Sequence, residues 1–340
     1  MIDYQKICNN LLKDLPKRTI DVIERRFGLR KKERETLETI GEDYGVTRER
    51  VRQIENEGLL KIKPKFKKHS EVIKFFRKKL NSFGGIKRED LFLLSLGEEK
   101  KHNLILFLLF LTPGFNRFAE TDKFHCFWSN KENPFENIKK ITQLTIKKLK
   151  KEKKTFSFEE LFFILKKDLS KSLKNINKKI FESYLELSKD LGQNLEKEWG
   201  LKDWIEINPR GIKDKAYLVL KKHGQPLHFK KVAQLIGEFS FSEKKQAHVA
   251  TVHNELIKDD RFVLVGRGFY ALREWGYTPG FVKEIILKIL KDSKKPLTKE
   301  EIIEKVLEQR IVKKTTVLLN LQDKKYFIKD SNGRYIVREA

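Results

Sequence analysis

Residues 36–62 read TLETIGEDYGVTRERVRQIENEGLLKI, and this stretch decides the fold of the N-terminal part of the chain. A first short helix is predicted to end at Gly45, because glycine readily adopts the left-handed conformation that terminates helices. Val46 places an apolar residue in the turn, and Thr47 is a suitable N-cap for a second helix. This order predicts a helix-turn-helix.

The second helix of this motif is predicted to expose one polar face. Helical spacing turns Val51, Ile54 and Leu59 toward the first helix. An arginine at the start of such a helix can donate two hydrogen bonds to guanine, and a glutamate can accept one from cytosine. The alternative is a solvated helix with charge pairs at i, i+4. The candidate base-reading residues are Arg48, Glu49, Arg52 and Gln53.

The N-terminal sequence resembles a known family. Residues 15–29, LPKRTIDVIERRFGL, together with the helix-turn-helix, are similar to region 4 of housekeeping-type sigma factors over residues 15–63. The resemblance implies that this segment reads the minus-35 promoter element and docks on the flap of the RNA polymerase beta subunit. It implies base contacts from Arg48, Glu49 and Gln53, with Arg50 and Arg52 near phosphates.

The resemblance has limits. Nothing beyond this segment resembles the sigma segments that bind the polymerase clamp and melt the minus-10 element, so a complete sigma factor is not expected. The loop at 29–35, LRKKERE, is more charged than is usual in the family, which leaves the details of flap docking open.

The charge of the chain favours a polyanionic partner. It has 340 residues, with 74 Lys and Arg against 48 Asp and Glu, a formal net charge of +26. Each phosphate that a cation neutralises releases condensed counterions, which favours binding. Part of the excess is a bias toward lysine in the whole composition. The residues expected to contact the DNA backbone are Thr47, Arg50, Lys61, Lys63, Lys65, Lys67 and Lys68.

Beyond residue 64 the chain repeats one pattern four times: a helix, a short breaker, and an apolar residue that opens an amphipathic helix. The opening residues Ile86, Phe156, Leu227 and Leu297 are separated by 70, 71 and 70 residues. Each repeat has room for a third helix and a closing hairpin, which together would make a winged helix. The hairpins are expected at 115–128, 195–207, 261–272 and 326–337.

The third repeat carries motifs of its own. HGQPLHF at 223–229, TVHNEL at 251–256 and GRGFYAL at 266–272 resemble the HARE-HTH domain, over residues 212–277. The resemblance implies a DNA- or polymerase-associated module without catalysis. Arg267 and Arg334 are predicted at wing tips, where an arginine can enter a minor groove.

These patterns predict a mainly α chain, in which a sigma region 4-like helix-turn-helix precedes tandem winged-helix units. The units are expected to have separate cores, with a joint near Pro64. The expected ranges are 1–64 for the helix-turn-helix, 65–132, 133–210 and 279–340 for winged-helix units, and 211–278 for the HARE-HTH winged helix.

No pattern of catalytic residues is present, so neither an enzyme nor a small-molecule substrate is expected. His248 and His253 have a spacing unsuited to a shared metal, and we expect no metal and no cofactor. Two cysteines fit a reducing compartment. The longest apolar run, 104–111, is too short to span a bilayer, and the N-terminus lacks signal-peptide blocks. We expect a cytoplasmic, nucleoid-associated protein without a membrane partner.

The sequence therefore favours a sequence-specific transcription factor that binds double-stranded promoter DNA together with the RNA polymerase core. Two alternatives stay open. The C-terminal units could bind protein, as in an accessory subunit like delta. The chain could also be the DNA-recognition subunit of a restriction or modified-DNA system, which would need a partner nuclease.

Overall fold

The computed structural model describes residues 2–30, 33–172, 176–239, 247–293 and 295–338, so residues 31–32 of the charged loop lie outside the described part. The chain forms two compact units, Met1–Asp203 and Trp204–Ala340. The break precedes the boundary expected at residue 210. The preceding segment belongs with the third repeat, because Lys221 Nζ donates to Glu206 Oε1 at 2.8 Å.

Four helices build the N-terminal part: α1 (Tyr4–Leu12), α2 (Lys17–Phe27), α3 (Leu37–Tyr44) and α4 (Arg48–Phe66). Their ends follow local signals. The hydroxyl oxygens of Thr36 and Thr47 cap α3 and α4 by accepting a hydrogen bond from a main-chain N–H of the first turn. Gly45 ends α3 in the left-handed conformation, as expected.

α4 is longer than the motif requires, and it corrects the joint expected at Pro64. The helix has 19 residues and continues through Pro64 to Phe66. Proline removes one main-chain hydrogen bond from a helix. Ile62 and Phe66 are nevertheless fully buried and hold the last turns of α4 in the core. The segment around Pro64 is therefore part of a packed helix and not a linker.

The N-terminal helices and the first repeat share one core, so the expectation of separate cores is wrong here. The first repeat contributes α5 (Ser70–Ser82), α6 (Glu89–Leu96) and α7 (His102–Leu111). Seven of the ten residues of α7 are buried. Phe27 of α2 meets Phe107 of α7 edge to face, with ring centroids 5.2 Å apart. A helix that is apolar all round needs cover on every side, and α1, α2 and α4 supply part of it.

The first repeat has the expected winged-helix order. Between α5 and α6 lies β1 (Ile86–Arg88), and after α7 come β2 (Asn116–Phe118) and β3 (Phe127–Ser129). The three strands form an antiparallel sheet in the order β1-β3-β2. The last strand therefore lies in the middle of the sheet, next to the strand that opens the repeat.

The other repeats follow the same order. The second contains α8 (Phe135–Glu152), α9 (Phe158–Ser172), α10 (Lys178–Leu185), β4 (Leu191–Gln193) and β5 (Trp199–Leu201). The third contains α11 (Gly211–His223), β6 (Leu227–His228), α12 (Phe229–Glu238), α13 (Val249–Lys258), β7 (Phe262–Gly266) and β8 (Phe269–Leu272). The fourth contains α14 (Val282–Ser293), α15 (Lys299–Gln309), α16 (Lys314–Leu321), β9 (Phe327–Lys329) and β10 (Tyr335–Val337).

The four opening residues occupy equivalent positions. Each is buried and pairs with the last strand of its own repeat. The regular spacing in the sequence thus reflects one pairing, repeated four times. The pairs are Ile86 with Ser129, Phe156 with Trp199, Leu227 with Tyr270, and Leu297 with Tyr335.

The first and second repeats contact each other through the wing of the first. Phe124 pairs with Ser188, and the main-chain N–H of His125 donates to the carbonyl of Leu187 at 2.9 Å. Lys87 on β1 forms a largely buried ion pair with Glu186, just after α10. Burial raises the pKa of the Glu186 carboxyl, and the ammonium of Lys87 opposes this effect.

The third and fourth repeats are joined by main-chain contacts. The N–H of Ile311 donates to the carbonyl of Val265 on β7 at 2.6 Å. The buried guanidinium of Arg310 donates to the carbonyls of Thr278 and Gly280 in the link between the repeats. These bonds hold the edge of the third wing against the fourth repeat.

Candidate nucleic-acid interface

α3 and a small core position the first turn of α4. Val22, Ile40, Val51 and Ile54 are buried together beneath it. Gly41 lies so close to the turn that a Cβ added there would be 2.7 Å from the carbonyl oxygen of Val46. Only a residue without a side chain lets α3 approach the turn this closely, and this contact sets the angle at which α4 leaves it.

The start of α4 presents the predicted polar face to solvent. Val51 and Ile54 face inward, and Leu59 is half-buried. The Thr47 hydroxyl oxygen accepts from the main-chain N–H of Arg50 at 3.2 Å. The four candidate base-reading residues, which are all exposed, are Arg48, Glu49, Arg52 and Gln53.

Two of these candidates are bonded to each other. Arg52 Nε and Nη2 donate to the two carboxylate oxygens of Glu49 at 2.8 and 2.6 Å. The hydrogen bond from Arg52 lowers the pKa of Glu49, and the bond to Glu49 raises the pKa of Arg52. Both groups are therefore charged at neutral pH. A base or phosphate that binds either of them must compete with its partner.

Arg48 is the least engaged of the four. Its Nη1 lies 3.9 Å from Glu38 Oε2, beyond hydrogen-bond range. Gln53 instead accepts from Arg50 Nη1 at 3.1 Å. The guanidinium of Arg48 is thus free to donate two parallel hydrogen bonds without first breaking a strong one.

The lysines at the end of α4 fall into two groups. Lys61, Lys63, Lys67 and Lys68 are exposed. Lys65 Nζ instead donates to Asp14 Oδ2 at 2.7 Å. This bond lowers the pKa of Asp14. The charge of Lys65 already has a carboxylate partner, whereas Lys63 lies on the same side of α4 as Arg52.

The two predicted wing-tip arginines belong to the second unit. Arg267 and Arg334 are exposed in the turns β7–β8 and β9–β10. Gly268 next to Arg267 has a φ of +75°, and a Cβ there would meet the ring of His228 at 2.6 Å. This glycine lets the wing turn tightly over α12.

Sequence reasoning missed the ion network that joins α2 to α3. Arg25 Nε donates to Glu35 Oε2 at 2.9 Å, and its Nη2 contacts Asp43. These bonds raise the pKa of Arg25. The Tyr44 hydroxyl donates to Asp21 at 2.8 Å in the same region. The partners lie too far apart along the chain for any local spacing rule to connect them.

The reading helices of the first two winged-helix repeats are engaged within the first unit. α7 lies in the shared core. α10 packs against β1, where Ile180 lies so close to Gly84 that a Cβ there would be 2.7 Å away. Lys131 Nζ donates to the hydroxyl of Tyr184 on α10 at 3.0 Å. Neither helix presents the open face that a groove-binding helix needs.

Other chemistry has little support in the described ranges. They contain no group of three His, Cys, Asp or Glu side chains arranged to hold a metal ion. Burial raises the pKa of the Cys8 thiol to about 12 and that of Cys126 to about 11, so neither is an activated nucleophile. No helix within those ranges is long and apolar enough to cross a membrane.

Two segments of the chain match known families. Residues 11–63 match the family described as sigma-70, region 4, and residues 210–275 match the HARE-HTH family, described as a restriction endonuclease HTH domain. The first segment is 40% identical over 55 residues to the RNA polymerase principal sigma factor HrdD of Streptomyces griseus, which is 16% of this chain and 17% of that protein. It is 40% identical over 62 residues to the RNA polymerase sigma factor RpoS of Coxiella burnetii, 18% of each chain.

These matches confirm the combination of domains expected from the sequence. A sigma region 4-like helix-turn-helix stands at the N-terminus, and a HARE-HTH domain forms the third repeat. The mainly α fold class is confirmed as well. The chain covers less than a fifth of the length of these sigma factors, so the similarity concerns one domain of each.

Proposed function

We propose that this protein is a non-enzymatic transcription factor that reads double-stranded promoter DNA with α4 and acts together with RNA polymerase. The observation that carries the proposal is the exposed first turn of α4, where the Arg48 guanidinium is free and Glu49 is ionised. Arg48 and Glu49 would contact base edges, and Arg52 and Gln53 the adjacent bases. Such a protein would work in the cytoplasm at the nucleoid.

The backbone contacts would come from residues around this first turn and from the end of α4. The Thr47 hydroxyl and Arg50 flank the reading face and can donate to phosphates. Further along α4, the exposed lysines would follow the DNA strand. They are Lys61, Lys63, Lys67 and Lys68, with Lys65 held back by Asp14.

Replacing Arg48 with Ala tests the proposal. The preferred duplex would first be selected from random DNA, and binding would be titrated on that duplex and on a scrambled one. Arg48→Ala should weaken binding to the preferred duplex by about 1–3 kcal/mol, with a smaller effect on the scrambled one. Lys63→Ala, the control, should weaken both duplexes alike. Equal losses on both duplexes for Arg48→Ala would mean that α4 does not read bases.

Contact with RNA polymerase is the second part of the proposal. It is supported by the names of the two relatives, both sigma factors of RNA polymerase. The apolar faces of α1, α2 and the end of α4 are covered by α7, so docking would have to use charged residues or the exposed Leu60. Purified core polymerase should retain the full chain in a pull-down, and footprinting across the genome should place it at promoters.

An accessory subunit that binds protein through its winged helices is a second candidate. It is favoured by the internal use of α7 and α10 and by Leu319, which is 67% exposed on α16. Salt separates the two candidates. A protein with many phosphate contacts loses DNA affinity steeply as salt rises, whereas an accessory subunit would bind polymerase and show no preference among duplexes.

A further inference from the structure

The exposed side of α8 in the second repeat carries a stripe of lysines. The opposite side is buried, with Ile138, Ile141 and Leu149 fully enclosed. At 3.6 residues per turn the five lysines fall within an arc of about 120° and extend along about 18 Å of the helix. These residues, called here the α8 stripe, are Lys139, Lys140, Lys147, Lys150 and Lys151.

The α8 stripe has no carboxylate partners. In the ranges that the structure describes, none of its five lysines forms an ion pair, although Lys148, on another side of the helix, is paired with Glu152 at 2.8 Å. The only acidic residue on the stripe is Glu136, at its start. An exposed face whose charges serve only solubility mixes both signs. Five like charges on one face repel each other unless an anion lies against them.

The stripe is also the open basic surface of a repeat whose reading helix is engaged. α10 packs on β1, and Tyr184 on α10 is fully buried. If the second repeat contacts a nucleic acid, it must use another side. No aromatic side chain is exposed on α8, so the stripe lacks the stacking groups with which proteins hold single strands.

We propose that the α8 stripe is a second phosphate-binding surface, which contacts the backbone of duplex DNA without reading its sequence. The inference rests on the proposed function, because it takes duplex DNA as the partner of the chain. About 18 Å corresponds to about five base pairs at the spacing of phosphates along one strand. The stripe therefore adds affinity and salt dependence, while the choice of sequence stays with α4.

The test compares two variants of the full chain with the same change in charge. One is Lys140→Gln, Lys147→Gln, Lys151→Gln on the stripe, and the control is Lys74→Gln, Lys78→Gln, Lys123→Gln at exposed, scattered positions of the same unit. Binding to a random duplex of about 30 base pairs is titrated at several salt concentrations. The stripe variant should lower the slope of log K against log salt by about two to three, since each phosphate contact contributes about 0.9. The control should lower the slope by less than one.

The possible outcomes separate this inference from the proposed function. Equal slopes for the two variants would overturn the α8 stripe as a site, since only total charge would then matter. Loss of binding to an acidic polypeptide such as polyglutamate, with duplex binding unchanged, would overturn it in favour of a protein partner. The ratio of affinities for preferred and scrambled duplexes should stay unchanged in the stripe variant. A ratio of one in the unaltered protein would instead overturn sequence reading by α4.

Discussion

At the scale of single residues, the first turn of α4 combines one free group with two that hold each other. Arg48 has no strong partner, and Arg52 binds Glu49 through two hydrogen bonds. An exposed pair of this kind gives little net stability. Its main effect is to fix both side chains in one orientation, so that Glu49 is held ionised as an acceptor.

The lysines at the end of α4 allow a comparison between a free charge and a paired one. Lys63→Ala should lower the slope of log K against log salt by about one, as expected for the loss of one phosphate contact. Lys65→Ala should lower it by clearly less, because Asp14 already neutralises this ammonium in the unbound protein. Titrations of both variants on one duplex provide the measurement. A larger change for Lys65→Ala would mean that DNA displaces Asp14.

The sequence predicted part of this site and could not predict the rest. The cap at Thr47, the turn at Gly45 and the exposed face follow from local rules, and the structure contains all three. The bond between Lys65 and Asp14 joins residues 51 positions apart. Its formation depends on how α1 and α4 pack, which no local rule describes.

At the scale of elements, the helix-turn-helix depends on the close approach of α3 to its turn. Gly41→Ala would push a methyl group against the Val46 carbonyl oxygen, and overpacking of this kind costs about 1–3 kcal/mol. We expect that loss in urea unfolding of the full chain, together with weaker binding to the preferred duplex.

Gly45→Ala is the matched control for this prediction. Gly45 has a φ of +59° and no atom within 4 Å of an added Cβ, so its replacement meets backbone strain but no clash. The cost should be about 1 kcal/mol. If Gly41→Ala proved no more harmful than Gly45→Ala, the contact between α3 and the turn would not set the angle of α4.

The winged-helix repeats were predictable as a series, though not in every strand. The spacing of the four opening residues predicted the repeats, since each pairs with the last strand of its own repeat. The second hairpin was expected at 195–207 and lies at Leu191–Gln193 and Trp199–Leu201. Strands of three residues are too short for an alternating pattern to mark their ends.

At the scale of the whole molecule, the first winged helix acts as an internal partner. Its reading helix α7 lies in the core shared with the helix-turn-helix, and its wing pairs with residues 187–189 of the second repeat. The apolar sequence of α7 predicted burial but could not show which elements cover it. Sequence repeats reveal similar units, and only their packing reveals which surfaces remain free for DNA.

Deletion of residues 1–66 tests this shared core. The deletion would remove Cys8, Ile23, Phe27 and Phe66 from the cluster around α7. Burial of one large apolar side chain contributes about 1.5–3 kcal/mol, so the loss of several approaches the whole stability of about 5–15 kcal/mol of a typical domain. The remaining chain should therefore lose the cooperative unfolding of its first unit, measured by near-UV circular dichroism and urea titration.

Fragment 1–203 serves as the control for that deletion, because it ends at the break between the two compact units. It should unfold cooperatively, and Cys8 should resist alkylation at pH 8, since burial raises the pKa of this thiol to about 12. The sign follows from burial: the neutral thiol is favoured in the folded state, so this contribution to stability is present at pH 8 and is lost as pH rises above about 9. A deletion variant that keeps the cooperative transition of its first unit would show that α7 can be covered without the helix-turn-helix.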